Sequence, residues 1–305
     1  MFRQFVAALS ALILLSGVAH ADRVRLGFGL LLTNDFVGDG QDRWRTGSVT
    51  SSRVWGPEWT GALPNSFGEI IELRLGGEII APANLQTPAA GDRPYAGALS
   101  IGVHSHFQKK NTEFALGADL VFIGSSTGLG SFQDTLHDVF GVARPSSGVL
   151  DNQISNQIRP TFVMEMGRSV DLNETTNLRP FVEARAGAET LVRAGFDLTF
   201  GQLGKGELLV RDPVTGHRYR TIKNDAWSGA SFVIGADMAH VGSSVFLPTN
   251  RGLSTTNTRD RVRAGLHVQN KSGAGGFYGV TWLGEEFEGQ GSGQVVGSVK
   301  FNLKF

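Results

Sequence analysis

The chain has 305 residues and carries 28 basic against 28 acidic side chains, a balance that argues against a general nucleic-acid binder. It contains no cysteine, which removes disulfide frameworks and thiolate metal sites from consideration. Its 41 glycines and 41% hydrophobic content suit a glycine-rich surface protein or a membrane barrel, in which glycine lets tilted strands bend and pack closely.

The N-terminal segment reads as an export signal. Arg3 is the one charge ahead of an apolar run from Phe5 to Leu15, and Ala19-His20-Ala21 offers a small-x-small cleavage pattern. The run is shorter than the roughly 20 residues of a spanning helix. Residues 1–21 are therefore expected to be a signal peptide and 22–305 a single domain. No later stretch is long and apolar enough for a membrane-spanning helix.

Strands are expected at 24–34, 46–55, 67–81, 94–107, 111–124 and 156–169, then at 177–190, 191–203, 228–241, 259–271, 275–286 and 293–305. Most reach the roughly 9–11 residues of a tilted membrane crossing. The terminal strand shows the pattern most openly. Val295, Val299, Phe301, Leu303 and Phe305 share one face, and Ser298, Lys300, Asn302 and Lys304 share the other, as a wall between lipid and a polar lumen requires. The reading is an all-β fold, an antiparallel transmembrane barrel of about 12 strands. The division at 190/191 is its weakest point, since no strong turn residue lies there. One segment departs from period two. Residues 131–141 open on Ser131 as an N-cap, end in Gly141, and place Phe132, Leu136, Val139 and Phe140 on one helical face. A short helix is expected within the long connection 125–155.

With a periplasmic N-terminus, the connections 35–45, 82–93 and 125–155 open on the same, extracellular side. Stretches distant in sequence can thus converge. The connection near 204–227 then falls on the periplasmic side, where turns are ordinarily short; this is the feature that fits least well. Among polar residues, Asn34 and Asp35 supply hard oxygen ligands suited to calcium, with Thr46 nearby; a polar turn is the plainer reading. Asp42, Arg43, Asp92 and Arg93 could bind an anionic headgroup or simply order the loop mouth. Gln133 and His137, four apart, share a helical face, and an imidazole is the usual general base near neutral pH. His104 and His106 share a face of the fourth strand but sit toward the periplasmic end, as lumen or interface residues. Serines are plentiful, and a barrel dyad needs no strand-turn-helix elbow, so a serine nucleophile stays open.

The ordered motifs Asn34-Asp35, Asp42-Arg43-x-x-Thr46-x-Gly47, Gly91-Asp92-Arg93-Pro94-Tyr95-Ala96-Gly97, Gln133-x-x-x-His137, Asp151-Asn152-Gln153-Ile154 and Glu286-Phe287 resemble those of the outer-membrane lipid A 3'-O-deacylases, the LpxR type. The resemblance implies a twelve-stranded barrel acting in the Gram-negative outer membrane on lipid A of lipopolysaccharide, with delivery by the barrel assembly machinery. It implies a Ca2+-assisted hydrolysis that removes the 3'-linked acyloxyacyl group. His137 would be the general base with Gln133 beside it, and Asn34, Asp35 and Thr46 would position the metal or the substrate carbonyl. Two positions depart from the family pattern: the 82–90 connection has no lysine, and Ala143 stands where a glutamate is expected. Two other readings compete: a non-enzymatic channel or structural barrel, and a serine–histidine phospholipase of the same membrane.

Overall fold

The computed structural model describes residues 23–224 and 227–302. The expected export signal and the terminal residues Leu303, Lys304 and Phe305 lie outside them. Twelve long strands form the wall. They are β1 (Val24–Asn34), β2 (Trp44–Gly56), β3 (Ile70–Ala81), β4 (Ala96–Lys109), β5 (Thr112–Ile123) and β6 (Gln157–Gly167), then β8 (Thr176–Ala186), β9 (Glu189–Phe200), β12 (Gly229–Ser244), β13 (Thr258–Gln269), β14 (Gly275–Leu283) and β15 (Gln294–Asn302). A short strand, β7 (Val170–Asn173), follows β6 and also pairs with β8. Every neighbouring pair is antiparallel; β1 lies beside β15, and pairing of β6 with β8 closes the cylinder. Closure leaves the twelve wall strands without a free edge, the condition for backbone to cross hydrocarbon.

Alternation sorts the side chains as expected. On β1, Phe28 and Leu32 face outward while Leu31 and Thr33 are buried; on β15, Phe301 is exposed and Ser298 and Lys300 are buried. The outward apolar set continues around the wall through Leu99, Ile101, Leu120, Phe162, Phe196, Met238, Val262, Leu266, Tyr278 and Trp282, which makes it the lipid-facing surface. The lumen is the reverse, packed with charge. His104 pairs with Asp119 at 2.9 Å and His106 with Glu72 at 2.7 Å, so both histidines are lumen residues. Arg211 pairs with Glu165 and Asp197, each at 2.8 Å, and Arg261 with Asp237 at 2.9 Å.

The β8–β9 turn corrects the sequence division. It falls at Gly187-Ala188, not at 190/191, with Gly187 at φ 155°. The long connection after β9 explains the misfit noted above. It holds a hairpin, β10 (Leu208–Arg211) and β11 (Arg218–Ile222), whose side chains are almost all buried. The hairpin folds up into the lumen instead of hanging below the barrel. Asp212 accepts from Thr50 at 2.7 Å, the Tyr219 and Ser52 hydroxyls lie 2.7 Å apart, and Arg261 donates to the Pro213 carbonyl at 2.9 Å. Gly27 lets β11 lie against the wall: a Cβ there would sit 1.9 Å from the Thr221 carbonyl oxygen. The register read from the sequence therefore stands, and the plug accounts for the length of the connection.

The opposite rim carries 35–43, 82–95, 124–156, 245–257 and 284–293. Connection 124–156 contains α1 (Leu129–Phe140) and a five-residue helix, α2 (Ser147–Asp151). Helix α1 begins two residues before Ser131. Its N-cap is Gly128 without any side-chain cap, so Ser131 is inside the helix, where its carbonyl accepts from Thr135. Gly141 ends the helix in the left-handed conformation, φ 67°, as glycine permits.

Candidate active site

The site is built by three chain segments meeting at the long-loop rim. Asn34 ends β1 and orders the turn that follows. Its amide nitrogen donates to the Thr46 carbonyl at 2.9 Å, and its oxygen accepts from the Phe36 amide at 2.9 Å. The Asp35 amide donates to the same Thr46 carbonyl at 3.0 Å. Thr46 lies at a register shift of the β2–β3 ladder between Arg45 and Gly47; such a bulge adds one residue and re-aims a side chain. Arg45 turns into the lumen, where it meets Glu78, Glu189 and Glu286. The Thr46 hydroxyl instead reaches Asp42, at 2.5 Å from Oδ1.

Asp42 is the hub. Its Oδ1 also accepts from the Gln133 amide at 3.3 Å, and its Oδ2 lies 3.1 Å from His137 Nε2. Gln133 is the one buried residue of α1, and its oxygen accepts from the buried Tyr95 hydroxyl at 2.9 Å. Burial, then the nearby Asp42 charge, pushes the Tyr95 phenol above its ordinary range, so it acts as a neutral donor. The other ring nitrogen of His137, Nδ1, donates to the Ala143 carbonyl at 2.6 Å. Ala143 thus orients the imidazole through its backbone, although its side chain cannot. Asp138 and Asp151 do not fill that part, since Asp138 pairs with Arg144 and Asp151 ends α2.

Asp35 is only 3% exposed. Desolvation, followed by repulsion from Asp42, raises its pKa to about 7, although the Arg43 amide donates to it at 3.0 Å. An acid held this way lacks a compensating positive charge. Among the described residues no group of three or more His, Asp or Glu side chains is arranged to hold a metal. The donors that fit a hard cation here are the Asp35 and Asp42 carboxylates with amide, hydroxyl and backbone oxygens nearby, the chemistry of an oxygen-liganded divalent ion.

The remaining sequence candidates order loops. Asp92 accepts from the amides of Ala83 at 2.6 Å and Arg93 at 2.7 Å. Arg93 is fully buried and donates to Glu286 at 2.6 Å. Burial alone would raise the Glu286 carboxyl, but Arg259, Arg45 and Arg93 hold it well below the usual carboxylate range. Arg43 lies over the Trp44 ring at 4.4 Å and pairs with Asp39 at 3.2 Å. The Arg43 side chain reaches Asp39 and the Gly293 carbonyl, and that of Arg93 reaches Glu286, so neither guanidinium hydrogen-bonds to His137, Gln133 or Asp42. Conversely, Tyr95 and the Ala143 carbonyl were not among the sequence candidates. Tyr95 stood in the Gly91–Gly97 run, but a backbone carbonyl has no sequence signal.

The family model described as outer membrane protein LpxR matches residues 5–305. The chain belongs to the LpxR family. It is an outer-membrane β-barrel, and the rim that bears the long loops is the extracellular one. A solved structure titled LpxR from Salmonella typhimurium is 17% identical, with a TM-score of 0.74 over 92% of this chain and 100% of that one; at this identity the likeness shows the fold. A KdgM porin complex (5% identity, 92% and 100% covered) and the translocator domain of autotransporter NalP from Neisseria meningitidis (12% identity, 100% and 98% covered) match at TM-scores of only 0.39 and 0.40. No curated protein is significantly similar in sequence.

Proposed function

We propose that this LpxR-family barrel is a lipid A 3'-O-deacylase that hydrolyses the ester of the 3'-linked acyloxyacyl group, with His137 as general base. The observation that carries the reading is the convergence of His137, Gln133, Asp42 and Thr46 within hydrogen-bond reach at the outer rim. In the hydrolysis, water adds to the ester carbonyl carbon as Nε2 takes its proton. The carbon–oxygen bond to the sugar then breaks, and the same proton goes to the departing sugar oxygen. A carbonyl can only accept, so the bond to Ala143 fixes a proton on Nδ1 and leaves Nε2 as the working nitrogen. Asp42 faces that nitrogen in the substrate-free arrangement. It must give up Nε2 to a water before the base can act, while Thr46 and Gln133 retain hold of its other oxygen.

A calcium ion would be held by Asp35 and Asp42 with the Asn34 amide oxygen as a further donor. When bound, it would stabilise the negative charge that develops on the ester oxygen. Two features weigh against the competing readings. Among the described residues His137 pairs with the Ala143 carbonyl and Asp42 and with no serine hydroxyl, which disfavours a serine–histidine phospholipase. The β10–β11 hairpin lies within the lumen and is bonded to the wall, which disfavours an open channel.

The test is mass spectrometry of lipid A from cells with and without the protein. The expected result is loss of one acyloxyacyl unit, abolished by His137→Ala and by chelation of divalent ions. Unchanged lipid A in cells with a correctly folded barrel would sink the proposal.

A further inference from the structure

Helix α1 is inverted relative to an amphipathic helix in water. Gln133 is its one buried residue, and Phe132, Leu136, Val139 and Phe140 are exposed, Val139 by 72% and Phe140 by 74%. Val142 just beyond the helix and Phe36 on the neighbouring loop are exposed as well. At about 100° per residue, the helix surface divides into three sectors. Gln133 and His137 face the site. Asp134 and Asp138 form a second sector, both paired to Arg144. Leu129, Phe132, Leu136, Val139 and Phe140 fill an arc of about 100° away from the acidic sector. A contiguous apolar surface of this kind needs an apolar partner.

The neighbouring elements identify that partner. Leu129 rests on Gly97: a Cβ at Gly97 would lie 2.9 Å from the Leu129 Cβ. Gly97 belongs to the outward alternation of β4 that continues through exposed Leu99 and Ile101. On the other flank, lipid-facing Tyr278 of β14 donates to the Val37 carbonyl at 3.1 Å, which ties the Phe36 loop to the outside of the wall. The exposed face of α1 is therefore continuous with the barrel's lipid belt on both sides.

We infer that the arc of Phe132, Leu136, Val139 and Phe140, with Val142 and Phe36, is seated among acyl chains of the surrounding outer leaflet. Asp134, Asp138 and Arg144 then lie toward the headgroups and water, the placement of an interfacial helix. The site on the third sector opens at the depth where acyl esters lie. The inference rests on the barrel's place in a membrane and not on the deacylase reading.

Because the chain has no cysteine, Val139→Cys and Asp138→Cys each accept a single environment-sensitive fluorophore. The full-length barrel is reconstituted into dioleoyl phosphatidylcholine vesicles without lipid A, some made with acyl-brominated lipid. Heat-modifiable gel mobility reports correct folding, with Phe140→Cys as a second reporter of the apolar arc. The label at 139 should emit to the blue, lose intensity to the brominated chains and resist aqueous iodide, and the label at 138 should do the opposite. Iodide quenching at 139 equal to that at 138, or insensitivity of 139 to both quenchers, would overturn the inference. Failure here with intact lipid A hydrolysis would leave the catalytic proposal standing, and the reverse result would leave the interfacial helix standing.

Discussion

His137 Nδ1 lies 2.6 Å from the carbonyl oxygen of Ala143, six residues further along the chain. The acceptor belongs to the backbone, so orientation of the imidazole is independent of the side chain at 143. Ala143→Ser is expected to keep the rate of lipid A deacylation within about threefold, less than 1 kcal/mol. His137→Ala should lower it by about 10²–10⁴-fold, the usual contribution of a general base. A large loss in Ala143→Ser with the barrel intact would show that something other than the carbonyl holds the ring.

Asp42 gathers Thr46, Gln133 and His137 on its two oxygens. Bonds to a charged acceptor are worth about 1.5–3 kcal/mol each. Thr46→Val and Gln133→Leu should therefore each slow turnover by at least about tenfold. Because both act through one carboxylate, the double variant should lose less than the product of the single losses. Strict multiplicativity in steady-state kinetics would count against Asp42 as their common anchor.

Asp35 supplies a pH signature. Its carboxyl is raised from 3.8 to about 7 in the folded chain, so the ionised form opposes folding. Stability is lost as pH rises from about 4 to about 7 and stays lost above that. The full difference corresponds to about 4 kcal/mol as an upper limit. In chelator at pH 8, Asp35→Asn should melt at higher temperature than the parent. Added calcium should raise the parent's Tm and leave the variant's unchanged. A variant less stable than the parent in chelator would contradict the assignment.

Gly27 faces the hairpin so closely that a Cβ would overlap the Thr221 carbonyl oxygen. The parent barrel should pass no measurable ionic current in planar bilayers, because β10 and β11 lie across its lumen. Gly27→Val should displace β11 from the wall and produce discrete conductance steps or a barrel that no longer folds, read on the same preparation by gel mobility. Unaltered folding with no current would mean that the plug tolerates the displacement.

The wall was legible because its two faces meet different media. Phe28 and Leu32 face lipid and Thr33 faces the lumen, so period two is written into the strands and even their number can be counted. The hairpin was not legible. Leu208, Leu209, Val210 and Arg211 are buried on both faces, so alternation disappears and only an awkwardly long connection remains. Gly187 made the β8–β9 turn with a single glycine among alanines, too little to outweigh the strand pattern around it. For the site, Gln133 and His137 were visible through their four-residue spacing. Asp42 was visible only as a polar loop residue, because its three partners come from two separate segments. Phe132, Leu136, Val139 and Phe140 could be placed on one face from sequence, but not the direction in which that face points.

The seat of Leu129 on Gly97 works as a pivot. From Leu129 to His137 the helix rises about 12 Å, so a tilt of about 5° at the pivot would carry the imidazole sideways by about 1 Å. Displacements of that size at a reacting group cost about a hundredfold in rate. The reach of the ring is thus set by a bare backbone position on the outer wall, remote from any reacting atom. Drift in turnover among variants can accumulate there while every polar side chain of the site stays the same.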